Sequence, residues 1–200
     1  MLALVAFYAL MNPPTTWTIL TETREHPGVG RKWTRADAIA PVMLRSVVAA
    51  EDANFCNHWG FDMAEIRKVV ASGSSGGAST LTQQVAKNVY LWQGRSWPRK
   101  ALETLYTPMI EALWSKRRVV EVYLNVAEFG PGVFGVEAAA RHYFNTTPDK
   151  LTARQAARLA AVLPAPKTRD PRSDAMGRRA ARIMDGAATI ARDGRSACFQ

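Results

Sequence analysis

Acidic residues are the scarce charge in this chain of 200 residues: 17 Asp and Glu stand against 26 Lys and Arg, a formal net charge of +9. That balance attracts polyanions, whether nucleic acid, an anionic membrane surface or a diphosphate-bearing substrate. Cysteine is scarcer still. Cys56 and Cys198 lie far apart in the sequence with no metal-ligand spacing. One bridge is open to them, but two free thiols are the expected state. A full membrane span takes about 20 apolar residues, and MLALVAFYALMN is apolar for only eleven before Pro13 and Pro14. It lacks the basic start and small-residue cleavage site of a signal peptide. It reads as the last turns of a transmembrane helix whose beginning is missing. Strand signals are few, and there is no repeat, no low-complexity tail and no GxxxxGK[ST] phosphate loop.

What is present is helical. A hydrophobic content of 48% suffices for one core in one domain. Residues 1–12 are the membrane-helix remnant, 13–37 a polar connector without periodicity, 38–190 the domain and 191–200 a tail. Within the domain a run over 38–50 repeats Ile39, Met43 and Val47 at spacing four. Asp62, Ser79 or Thr80, Ser96, Ser115 and Thr152 each stand where a helix N-cap belongs. Pro98 suits a first turn and Pro108 is expected to kink its helix. The run GSSGGA at 73–78 is a flexible loop between helices, and a last helix spans 173–190.

Three stretches carry chemistry. VVAAEDANFCNHWGF places Glu51 and Asp52 at the end of an apolar run, followed closely by Phe55, His58 and Gly60. The pair could be a solvated helix end, yet a carboxylate against an apolar wall has its pKa raised, as a general acid or base requires. In TLTQQVAKNV, the residues Gln83, Gln84, Lys87 and Asn88 fall three and four apart on one face beside the Gly-Ser loop. A solvated surface would look the same, but a helix N-terminus with free N–H groups favours an anion. In GRSWPRKALE, Arg95, Arg99 and Lys100 crowd a helix start, opposing the helix dipole, and Glu103 follows. Arg99 and Glu103 could simply pair across one turn; the surplus of cations points to a bound anion. Two carboxylates in different environments are the equipment for chemistry at a sugar anomeric carbon. A diphosphate site beside them points to a transferase using a sugar-diphosphate donor.

The chain resembles the peptidoglycan glycosyltransferases, most closely their monofunctional branch. The resemblance rests on EDANFCNHWG, GGASTLTQQVAKN, RSWPRKALE, SKRRVVEVYLN and GVFGVEAAARHYF, in the family's order over most of the chain. It implies a mainly α, lysozyme-like fold with a head and a smaller membrane-associated jaw lobe, the jaw lying near 72–78 and 89–97. It implies polymerisation of lipid II into β-1,4-linked glycan with release of undecaprenyl diphosphate.

By resemblance, Glu51 is the general base on the acceptor hydroxyl and Glu103 the second glutamate, near the departing diphosphate. Asp52, Phe55 and His58 shape the base's surroundings. Lys87 and Arg95 neutralise the diphosphate, assisted by Arg99 and Lys100. Ser79, Thr80, Gln83, Gln84 and Asn88 are donor-side contacts. Lys116, Arg117 and Asn125 belong to a fourth motif that is structural or in contact with substrate. No cofactor is required and no residues form a metal site; a divalent cation, Mg or Mn, could bridge the diphosphate. Expected partners are lipid II, the lipid-linked glycan chain, other cell wall synthesis proteins and moenomycin as inhibitor, with no nucleic acid. The expected location is the bacterial inner membrane, single-pass, with the catalytic domain facing the periplasm. A lytic transglycosylase or lysozyme-like enzyme is the competing reading; the cation set argues against it.

Overall fold

The computed structural model describes residues 1–25, 31–73, 77, 79–94 and 96–200. Among them, ten α-helices and one two-stranded antiparallel sheet form the fold. The helices are α1 (Leu2–Leu10), α2 (Trp17–Glu25), α3 (Pro41–Glu51), α4 (Met63–Ser72), α5 (Leu81–Tyr90), α6 (Trp97–Leu113), α7 (Lys116–Val126), α8 (Val136–Phe144), α9 (Ala153–Val162) and α10 (Gly177–Arg192). The sheet, β1 (Glu128–Gly130) and β2 (Val133–Phe134), is the Gly-rich turn after α7.

The expected caps are in place. Asp62, Ser96, Ser115 and Thr152 each accept a backbone N–H in the first turn of the following helix. Thr80 rather than Ser79 caps α5, in a capping box with Gln83. The ends differ in two places. Residues 36–38 form a separate 3-10 turn, and α3 begins at Pro41, whose fixed φ suits the first helical position. Another 3-10 turn precedes α10. Helix α6 continues through Pro108 as one element.

Two groups of helices make the core. Helices α3, α9 and α10 pack together, while α5 lies against α6 and α7. Small residues allow close approach in the first group: a Cβ on Gly186 of α10 would lie 3.2 Å from Ala49 Cβ of α3. Met43, Val47 and Val48 of α3 and Val119, Val120, Val122 and Leu124 of α7 are among the buried apolar side chains. Helix α4 has no buried residue and stands apart from this core. Helix α1 packs on α6, where Trp114 Nε1 donates to the Val5 carbonyl at 2.8 Å. No helix among the described residues is long and apolar enough to cross a membrane.

Three expectations change. The connector contains α2, whose first turn is held by Thr16, its Oγ1 accepting from the Ile19 N–H at 3.3 Å. Its Thr-rich sequence shows no periodicity; contact with α5 and the Gln93 Nε2 to Thr18 Oγ1 bond (2.7 Å) stabilise it. The cysteines are not free thiols: Cys56 and Cys198 form a disulfide, their Cα atoms 5.8 Å apart across 142 residues of sequence. Only the fold brings so distant a pair together. The last ten residues are likewise not a loose tail, since Phe199 is fully buried. Of the Gly-Ser loop, residues 74–76 and 78 lie outside the described residues, as does Arg95.

Candidate active site

Helix α3 delivers Glu51 from the core. Met43, Leu44, Val47 and Val48 are buried in the turns before it, so the carboxylate emerges at the edge of the core rather than in solvent. Its Oε2 accepts from Gln84 Nε2 at 3.0 Å, while Oε1 is shut off from solvent without a partner. Burial raises the Glu51 pKa above the ordinary value of 4.5, opposed by the Gln84 hydrogen bond and by Arg179, Lys87 and Arg169. Tyr123 of α7 fixes the amide: its hydroxyl donates to Gln84 Oε1 at 3.1 Å, so Nε2 faces Glu51. Glu51 is therefore largely removed from solvent, with Gln84 as its hydrogen-bond partner and three cations in its field.

Asp52 does a different job. Its Oδ1 accepts from His58 Nε2 at 2.8 Å and its Oδ2 accepts from the Leu81 N–H at 2.9 Å. The carboxylate thus joins the loop after α3 to the first turn of α5, where a negative charge also meets the helix dipole favourably. Phe55 is fully buried beneath the loop, with the His58 ring edge-on at 6.2 Å and the Lys116 ammonium 4.3 Å from its ring centre. Lys116 Nζ also donates to the His58 carbonyl (2.9 Å) and pairs with Glu111 (2.9 Å). Gly60 closes the loop at φ +82°, and its carbonyl accepts from Thr80 Oγ1 at 2.7 Å. A side chain there would strike Thr107 Cγ2 at 2.6 Å.

Helix α5 presents Gln84, Lys87 and Asn88 to a cleft of about 500 Å³, shared with Tyr123, Gln93 and the 163–168 turn. Gln83 does not join that face; it is folded back and buried as the cap partner of Thr80. A second cleft, of about 270 Å³, is lined by Glu51, Asp52, Ser79 and Thr80 among others. The Glu51–Gln84 hydrogen bond joins the linings of the two. Lys87 lies within electrostatic reach of Glu51 and Glu103 alike, and burial lowers its pKa.

Glu103 is buried on α6 and receives two cations. Arg99 Nη1 lies 2.7 Å from Oε2, and Lys100 Nζ contacts Oε1. The local Arg99–Glu103 pairing is therefore real, and Lys100 adds to it. Lys100 also donates to Ser79 Oγ at 3.3 Å. Asn125 stands away from this centre: fully buried, it exchanges two 2.8 Å hydrogen bonds with the backbone of Thr34. Arg117 is half-buried one residue beyond Lys116 on α7.

Sequence reasoning missed Tyr123, Arg169 and Arg179. Tyr123 lies inside the fourth motif stretch and resembles a core residue. Arg169 and Arg179 reach the field of Glu51 from the 163–173 turn and from α10, and nothing in their local sequence marks them.

The transglycosylase family model matches residues 18–188. A biosynthetic peptidoglycan transglycosylase of Jannaschia sp. (strain CCS1) is 56% identical, the alignment covering 100% of this chain and 84% of that protein. One of the same name from Caulobacter vibrioides is 42% identical over 97% of this chain and 87% of its own length. Another, from Yersinia pseudotuberculosis serotype O:1b, is 55% identical over 67% of this chain and 58% of its own length. With a match running from α2 through most of α10, the chain belongs to the transglycosylase family.

Proposed function

We propose that this enzyme is a peptidoglycan glycosyltransferase that polymerises lipid II in cell wall synthesis, with Glu51 as its base. The observation that carries the site assignment is the desolvated Glu51 carboxylate, tethered by Gln84 and sharing Lys87 with Glu103. The 4-hydroxyl of the GlcNAc on an incoming lipid II enters beside Glu51. Its oxygen attacks C1 of the lipid-linked glycan chain on the face opposite the diphosphate. Glu51 takes the hydroxyl proton, the C1–O bond to the diphosphate breaks, and undecaprenyl diphosphate departs with that electron pair. The product is a β-1,4 linkage with inverted configuration. Charge grows on the departing oxygens, where Lys87, Arg99 and Lys100 supply preorganised cations, with Arg95 assigned by resemblance. Those cations favour synthesis over a lytic, lysozyme-like reaction, which has no diphosphate to neutralise.

No group of three or more His, Cys, Asp or Glu side chains suited to a metal exists among the described residues. A divalent cation serving this reaction would be held by the substrate's diphosphate oxygens. Exposed Leu2, Phe7, Leu10, Trp17 and Trp97 give the protein apolar surface at α1, α2 and the start of α6. We assign these side chains to an inner-membrane interface, aromatic rings of this kind favouring the membrane–water boundary. The disulfide supports an oxidising compartment such as the periplasm.

The test is direct. Purified protein mixed with labelled lipid II in detergent yields a ladder of glycan chains on a gel, and moenomycin abolishes it. Absence of polymer overturns the reaction; full activity in Glu51→Gln overturns the base.

A further inference from the structure

The reaction as drawn makes no use of the C-terminal segment, yet that segment is tied to the catalytic loop along its length. Arg195 Nη1 donates to the Ala53 carbonyl at 3.3 Å. Cys198 is bonded to Cys56, between Asp52 and His58. Phe199 is fully buried with its ring 6.3 Å from that of Phe55. Gln200 Nε2 donates to the Pro41 carbonyl at 2.9 Å, and its Oε1 accepts from Arg45 Nη1 at 3.1 Å. Both of those partners lie on α3, the helix that ends in Glu51.

The loop it grips has little regular structure of its own. Residues 55–57 form one 3-10 turn, and His58 is already extended. Phe55 is the loop's apolar anchor, packed between Phe199, the Lys116 ammonium and the edge of His58. Cys198 adjoins Phe199, which walls Phe55, and Phe55 meets His58, whose partner Asp52 reaches α5. A misplacement of about 1 Å near reacting groups can cost about a hundredfold in rate.

We propose that residues 195–200 are a disulfide-locked positioning strap, and that Cys56, Cys198 and Phe199 hold the Asp52–His58 loop in its working geometry. This rests on the transferase reading above. Opening the lock is a two-electron exchange with a dithiol. One thiolate attacks a sulfur of the bridge to give a mixed disulfide. The second thiol displaces it, leaving Cys56 and Cys198 as thiols and the reagent as its cyclic disulfide.

The experiment compares oxidised and dithiothreitol-reduced protein, all 200 residues, in lipid II polymerisation at about 10 °C, with thiol alkylation counted by mass and circular dichroism recorded on the same samples. The expected result is folded, reduced protein with kcat down by about ten- to a hundredfold. KM for lipid II changes less than kcat, because Lys87 and Asn88 line the larger cleft from further along α5 than the Leu81 turn that Asp52 holds. Reoxidation with oxidised glutathione restores kcat. Phe199→Ala, with its bridge intact, shows a smaller fall in kcat. Reduced protein turning over at the oxidised rate overturns the proposal. Loss of the circular dichroism spectrum on reduction also overturns it, in favour of a purely structural bond. Failure of the transferase reading is distinguished by the oxidised sample, which then makes no polymer at all.

Discussion

Removing the Asp52 carboxylate should separate two parts of the molecule that its two oxygens hold together. In Asp52→Ala the Leu81 N–H and His58 Nε2 both lose their acceptor. The Asp52 and His58 side chains are only 3% and 7% exposed, so water does not readily replace it. A hydrogen bond to a charged group contributes about 1.5–3 kcal/mol, so the pair together is worth about 3–6 kcal/mol. For a protein of this size each kcal/mol moves Tm by about 2–4 °C, giving a fall of at least about 6 °C. Asp52→Asn keeps one acceptor oxygen and should lose roughly half as much. Activity should fall further than stability alone explains, because the first turn of α5 sets the direction of Gln84 and Lys87. Thermal denaturation followed by circular dichroism, with lipid II turnover assayed well below Tm, measures both. A Tm within about 2 °C of wild type for Asp52→Ala would refute the double anchor.

Glu51→Gln should lower turnover by about a hundredfold or more as the base is lost. The same variant should melt above wild type at pH 8, because burial holds the folded-state pKa of Glu51 above 4.5, and the stability tied to its protonated form is lost as pH rises through that folded value. The advantage should vanish below pH 4.5, and a Tm difference independent of pH would contradict the burial. Lys87→Met should raise the barrier by about 2–4 kcal/mol, read as a fall in kcat. It should melt no lower than wild type, because its ammonium is already disfavoured by burial. Gly60→Ala should cost about 1–3 kcal/mol in urea unfolding, from the positive φ and the contact with Thr107; unchanged stability would show that the loop shifts freely.

Much of the helical layout was legible because caps and apolar spacing are local. Asp62, Thr80, Ser96, Ser115 and Thr152 each act within three residues of themselves, and their helices begin where those residues stand. Helix α2 was not legible, since its Thr-rich sequence carries no apolar stripe and its stability comes from contact with α5. The face read from Gln83, Gln84, Lys87 and Asn88 was legible in spacing but not in detail. Gln83 turned inward because a buried N-terminal turn needed a partner for the Thr80 N–H, which its Oε1 accepts at 3.0 Å.

By itself the sequence determined the helical class, the cap positions, the ordered motifs and the shared face of Gln84, Lys87 and Asn88, because these follow from residue identity and short spacing. The tertiary structure alone decided which groups meet. It set Tyr123 to aim Gln84 at Glu51, gave Asp52 the Leu81 N–H and His58 as partners, and joined Cys56 to Cys198 across 142 residues. The physical reason is distance along the chain. A local pattern specifies a turn of helix, whereas a contact between residues tens of positions apart exists only once packing has placed both partners.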